Sequence, residues 1–210
     1  MSTTRPNTER GRAMAVWTSR AARVGGSLGQ IAHVTQVITI AAVLIGLVFG
    51  AGCASSNMRT PFEGFLTLSY YEFDQTPRSG WRVLAEDDKR YVEAARLIEK
   101  YLDLHSDLDR FQRATLHWHA AQLLAMAGDV KAALQQLPFA RLDPEPPNSP
   151  VRWNDYVDAT AAFLEGDRAR LQAARDRIAT NSPGDANLPV VDSLLVHFEA
   201  PYARAYRATR

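Results

Sequence analysis

Apolar positions fall into contrasting zones along the chain. Val37 to Ala51 is the most hydrophobic stretch, holding Ile38, Ile40, Val43, Leu44, Ile45, Leu47, Val48 and Phe49 within fifteen residues. Ala54 to Thr60 is small and polar. Pro61 to Phe73 then collects Phe62, Phe65, Tyr70, Tyr71 and Phe73, which predicts a short helix packed on a larger body, and Thr76-Pro77-Arg78-Ser79-Gly80 predicts a turn after it. Helical periodicity takes over from there. Over Asp87 to Asp103, Tyr91, Ala94, Ala95, Ile98, Tyr101 and Leu102 recur at steps of three and four, the pattern of an amphipathic helix. From Asn187 onward, Val190, Val191, Leu194, Leu195, Phe198 and Tyr202 predict one closing helix, bent or broken at Pro201.

Between these helices two segments align on a Gly-Asp pair: Leu108 to Asp143 around Gly128-Asp129, and Val151 to Pro183 around Gly166-Asp167. An aromatic stands ten residues before each glycine (Trp118, Tyr156) and an alanine seven before (Ala121, Ala159), and the glycines are 38 residues apart. Tyr91-Val92-Glu93-Ala94-Ala95 opens the earlier helix much as Val130-Lys131-Ala132-Ala133-Leu134 follows the first Gly-Asp pair. A period of this size is the mark of a helical-hairpin repeat. Ala121 and Ala133 would let two helices approach closely, the glycines would supply the turn, and Asp129 and Asp167 would cap the helices that follow. Pro138 should kink or shorten its helix.

Ala121, Gly128-Asp129, Ala133, Ala140 and Pro144 resemble the tetratricopeptide repeat. The third unit departs from that pattern at Leu171, and the linker Asp143 to Pro150 is longer than the family's period. The resemblance implies an all-α fold of antiparallel helical hairpins stacked as a short array over residues 85–210. It also implies that the first helix of each pair lines a concave groove, here through Thr115, Trp118, Gln122 and Met126 and through Trp153, Tyr156, Thr160 and Leu164. Stacked aromatics on such a wall would hold an extended peptide or an amphipathic helix. The competing reading has Trp118, Trp153 and Tyr156 filling core between short helices.

The single cysteine, Cys53, rules out an intramolecular disulfide, and its position directly after the apolar run gives it a context. Residues 1–36 bear arginine and no lysine, and the run after them matches the hydrophobic region of a signal peptide while being short for a permanent span. Gly50-Ala51-Gly52-Cys53 resembles a lipobox, although Gly50 stands where an aliphatic residue is usual. The resemblance implies lipid attachment at Cys53, removal of residues 1–52 and a membrane held through the N-terminal lipid. Residues 53–84 would be tether and lead-in. Ala54, rather than aspartate, after the cysteine implies the outer membrane, facing the periplasm. Two other readings fit the same residues: an uncleaved inner-membrane anchor, and a soluble protein released by ordinary signal peptidase.

Residues 1–52 hold five arginines against Glu9, so the chain from Cys53 onward carries 19 basic and 22 acidic side chains, net −3. No nucleic-acid backbone is expected as partner. No serine elbow or phosphate-binding loop occurs, and no cofactor is expected. His117 and His119 should point in different directions from one helix, which argues against a shared metal ion. The function expected is therefore a non-enzymatic interaction module in the cell envelope, binding a protein or peptide. The rival class is an envelope enzyme, such as a helical peptidoglycan-cleaving protein built on Glu99 or Glu165.

Overall fold

The computed structural model describes residues 62–208, apart from 147, 148 and 150. Cys53, the apolar run and the tether lie outside the described residues. Among the described residues there are helices and no strands, and none of those helices is long and apolar enough to cross a membrane.

Among the described residues seven α-helices follow one another: α1 (Tyr91–Leu104), α2 (Arg110–Met126), α3 (Val130–Ala140), α4 (Trp153–Leu164), α5 (Arg168–Asn181), α6 (Leu188–Val196) and α7 (Tyr202–Arg207). Each packs on its neighbour in sequence, most extensively α1 on α2, α2 on α3 and α4 on α5. Local chemistry explains the boundaries. Asp109 begins α2 with a capping box, its carboxylate accepting from the Gln112 backbone N–H at 2.8 Å while the Gln112 side chain accepts from the Asp109 N–H at 2.9 Å. Gly128 and Gly166 stand just past the ends of α2 and α4 with φ of +84° and +73°, the left-handed conformation that glycine adopts without a Cβ penalty. Asp129 and Asp167 then accept from the backbone N–H groups of Ala132 and Arg170. The two turns are thus made alike. Ala121 on α2 and Ala133 on α3 are both buried, and Pro138 sits inside α3, which stops two residues later.

Two expectations need correction. The closing segment is two helices: α6 ends at Val196, five residues before Pro201, and Pro201 leads into the separate α7. The aromatic-rich lead-in is no single helix either. It forms a 3-10 turn (Glu63–Thr67), a π turn (Tyr71–Gln75) and, beyond the loop at 76–80, a second π turn (Val83–Asp87). Gly80 closes that loop at φ +53°, where an added Cβ would overlap the Phe73 carbonyl. Phe73 and Trp81 are fully buried, and Phe73 stacks on Tyr101 of α1 with ring centroids 3.8 Å apart.

Candidate functional site

Of the eight residues expected to line a groove six are buried as core, with Thr115 beside Tyr70 of the lead-in. Thr115, Trp118, Gln122, Trp153, Tyr156 and Thr160 are all buried, Trp118 at 3% exposure and Tyr156 at 1%, while Met126 and Leu164 are partly buried at the helix ends. The Trp118 ring lies 4.6 Å from that of Tyr156 and 5.4 Å from that of Trp153. Trp153 also donates its indole N–H to the Ala140 carbonyl at 2.7 Å, satisfying the end of α3. The structure takes the reading in which Trp118, Trp153 and Tyr156 fill core between helices. The physical reason is α7, which packs on α2 and places Tyr202 beside Gln122 and Thr160.

A second cluster had no signal in the sequence. Asp74, in the lead-in, is completely buried, and its Oδ1 accepts from the Trp81 indole N–H at 2.8 Å and lies 2.7 Å from Nδ1 of His119 on α2. Gln75 donates to the other carboxylate oxygen, and Arg82 donates to the Asp74 backbone carbonyl at 2.7 Å while its guanidinium covers the Trp81 ring. Burial alone would raise the Asp74 carboxyl. The charge of His119 and the hydrogen bond to it, then Arg82 and Trp81, outweigh burial and hold it below its ordinary value. Tyr70 alongside is pushed up, first by burial and then by the Asp74 charge. The partners are 45 residues apart in sequence, and together they pin the lead-in to α2.

The other candidate groups go to separate places. His117 bonds Gln136 of α3 at 2.7 Å, and Gln136 donates to Glu99 of α1 at 2.7 Å, a polar chain across three helices in which burial lowers the His117 pKa. His117 and His119 therefore serve different partners. Glu165 is exposed and paired with Arg170. Among the described residues no three His, Cys, Asp or Glu side chains are gathered as metal ligands. Nothing in these arrangements sets a nucleophile beside a base.

Among the described residues an open concavity lies between the lead-in and the end of α1. It has a volume of about 710 Å³ and is bordered by Tyr70, Tyr71, Tyr101, His105, Asp107 and Leu108, among others, and no lysine or arginine is among the described residues that line it. Its wall is fastened by long-range bonds: Tyr101 donates its hydroxyl to the Leu68 carbonyl at 2.8 Å, and His105 Nε2 lies 2.8 Å from the Leu66 carbonyl. Burial, then the charges of Asp107, Asp74 and Glu72, push the Tyr101 phenol up to about 12. Tyr71 is 69% exposed at the rim. Comparison with known protein families, curated proteins and solved structures finds no match to this chain.

Proposed function

We propose that this chain is an outer-membrane lipoprotein facing the periplasm, held through Cys53, whose helical body is a non-enzymatic docking module for another envelope polypeptide. The helix pairs α2/α3 and α4/α5 are read as hairpins of a short tetratricopeptide-like array, a reading supported by the alike turns at Gly128 and Gly166. The docking surface is the lead-in cleft, because the wall that the repeat pattern marks is buried. One observation carries this choice: the cleft is open and aromatic, with the exposed Tyr71 on its rim and, among the described residues that line it, Asp107 but no lysine or arginine. A partner segment with basic and apolar side chains complements it. Its first residue, Thr67, follows Cys53 by only 14 positions, so the tether and the docking surface are neighbours along the chain.

Labelled palmitate should enter the wild-type protein and not Cys53→Ala. Label persisting in the mutant contradicts the anchor. Affinity capture from solubilised envelopes, run beside an assay for muropeptide release, tests the role: one stoichiometric protein partner with no release supports docking, whereas release by the purified protein supports the enzyme.

A further inference from the structure

We propose that the cleft takes an arginine side chain of the docking partner, with Tyr71 as the ring it lies on and Asp107 as the carboxylate that selects it. This deepens the docking reading and rests on it.

The first observation is a pattern within the molecule. Its own arginines lie over aromatic rings, Arg82 over Trp81 at 4.5 Å, Arg90 over Phe62 at 5.1 Å and Arg168 over Phe198 at 5.4 Å. A guanidinium above a ring is attracted by the negative face of the ring, and its planar fork keeps its N–H groups for a carboxylate. Tyr71 stands exposed at the cleft, and among the described residues neither a guanidinium nor a second ring covers it.

The second observation is where a carboxylate lacks such a partner. Across α4, α5 and α6, arginines meet the acids: Asp155 has Arg152 and Arg177, Asp158 has Arg141 and Arg177, and Asp192 has Arg175. Asp107, in the cleft, has a side chain 85% exposed, and among the described residues it comes within ion-pair range only of His105 Nδ1, at 3.7 Å. Arg113 is nearby but donates to the backbone carbonyls of Leu102 and His105. A ring without a guanidinium and a carboxylate without one, lining one cleft, together complement an arginine. A lysine would use the charge and leave the ring, because its ammonium is compact rather than planar. A neutral ligand would gain nothing from the charge of Asp107.

NMR titration of the full-length protein in detergent tests this, with acetyl-Leu-Arg-Leu-amide, its lysine and glutamate counterparts, and chitotriose as an uncharged probe. The arginine peptide should bind about ten-fold more tightly than the glutamate peptide, through one exposed attraction gained and one repulsion avoided. Asp107→Lys, a change at an exposed side chain, should reverse that order. The lysine peptide should bind about three-fold less tightly than the arginine peptide to the wild type, and equally to Tyr71→Ala. The proposal is overturned if the arginine and glutamate peptides bind alike, if Asp107→Lys keeps their order, or if chitotriose binds more tightly than the arginine peptide. Capture of a protein partner through Tyr71 by a cleft that shows no such preference would leave the docking reading standing and remove the arginine.

Discussion

The helix pairs around Gly128 and Gly166 and the lead-in from Phe62 to Asp88 reach order by different routes. In the pairs, a glycine and an aspartate side by side stop one helix and start the next, and every group involved lies within a few residues. In the lead-in the turns are irregular, and beside local bonds such as Trp81 to Asp74 they are tied from afar: His119 to Asp74, Tyr101 to Leu68, His105 to Leu66. Order written locally is sturdy and repetitive, whereas order imposed by distant partners can hold an irregular surface such as the cleft. The open concavity is found on the second kind.

The sharpest way to break this comparison is to remove what the pairs bury. Trp118→Ala should cost about 4 kcal/mol, as should Tyr156→Ala, through a cavity at the α2/α4 contact. Thermal or urea melts would show it, and near-wild-type stability would return these rings to a binding wall. His119→Ala should cost about 3 kcal/mol by leaving the buried Asp74 carboxylate with only Trp81 and Gln75 as side-chain donors. Because the Asp74 pKa is lowered on folding, its contribution is whole above the ordinary carboxylate range and is lost as the pH falls through the folded value. Urea midpoints measured from about pH 6 to about pH 3 should therefore fall more steeply for the wild type than for Asp74→Asn. Parallel slopes would remove Asp74 from the account.

These two sites also mark how far the sequence could be read. The Gly-Asp turns, both aspartate caps and the equivalence of Trp118 with Tyr156 were legible because helical periodicity and turn chemistry are short-range. Whether those aromatics face core or groove stayed open between two readings, since it depends on α7, whose Tyr202 lies 46 residues beyond Tyr156. Asp74 and His119 have no spacing rule that joins them. The lead-in's aromatics announced burial, correctly for Phe73, but not that Tyr71 would stay outside.

Smaller effects sharpen the same contrast. Ala121→Leu should cost about 1 to 3 kcal/mol by overpacking the α2/α3 crossing, and an unchanged melt would argue against close approach there. Asp129→Ala and Asp167→Ala should each cost about 1 kcal/mol and by similar amounts, because each removes one helix cap. Clearly unequal losses would show that the two turns are alike in shape only.

The docking claim rests most directly on Tyr71, the exposed aromatic at the cleft, set against the buried Trp118. Once a partner has been captured with the full-length protein, melting temperature and dissociation constant should be measured together for Tyr71→Ala. The account predicts an unchanged melt and a loss of about 2 kcal/mol of affinity, roughly 30-fold. Undiminished partner binding by a well-folded Tyr71→Ala protein would contradict it and move the docking surface elsewhere.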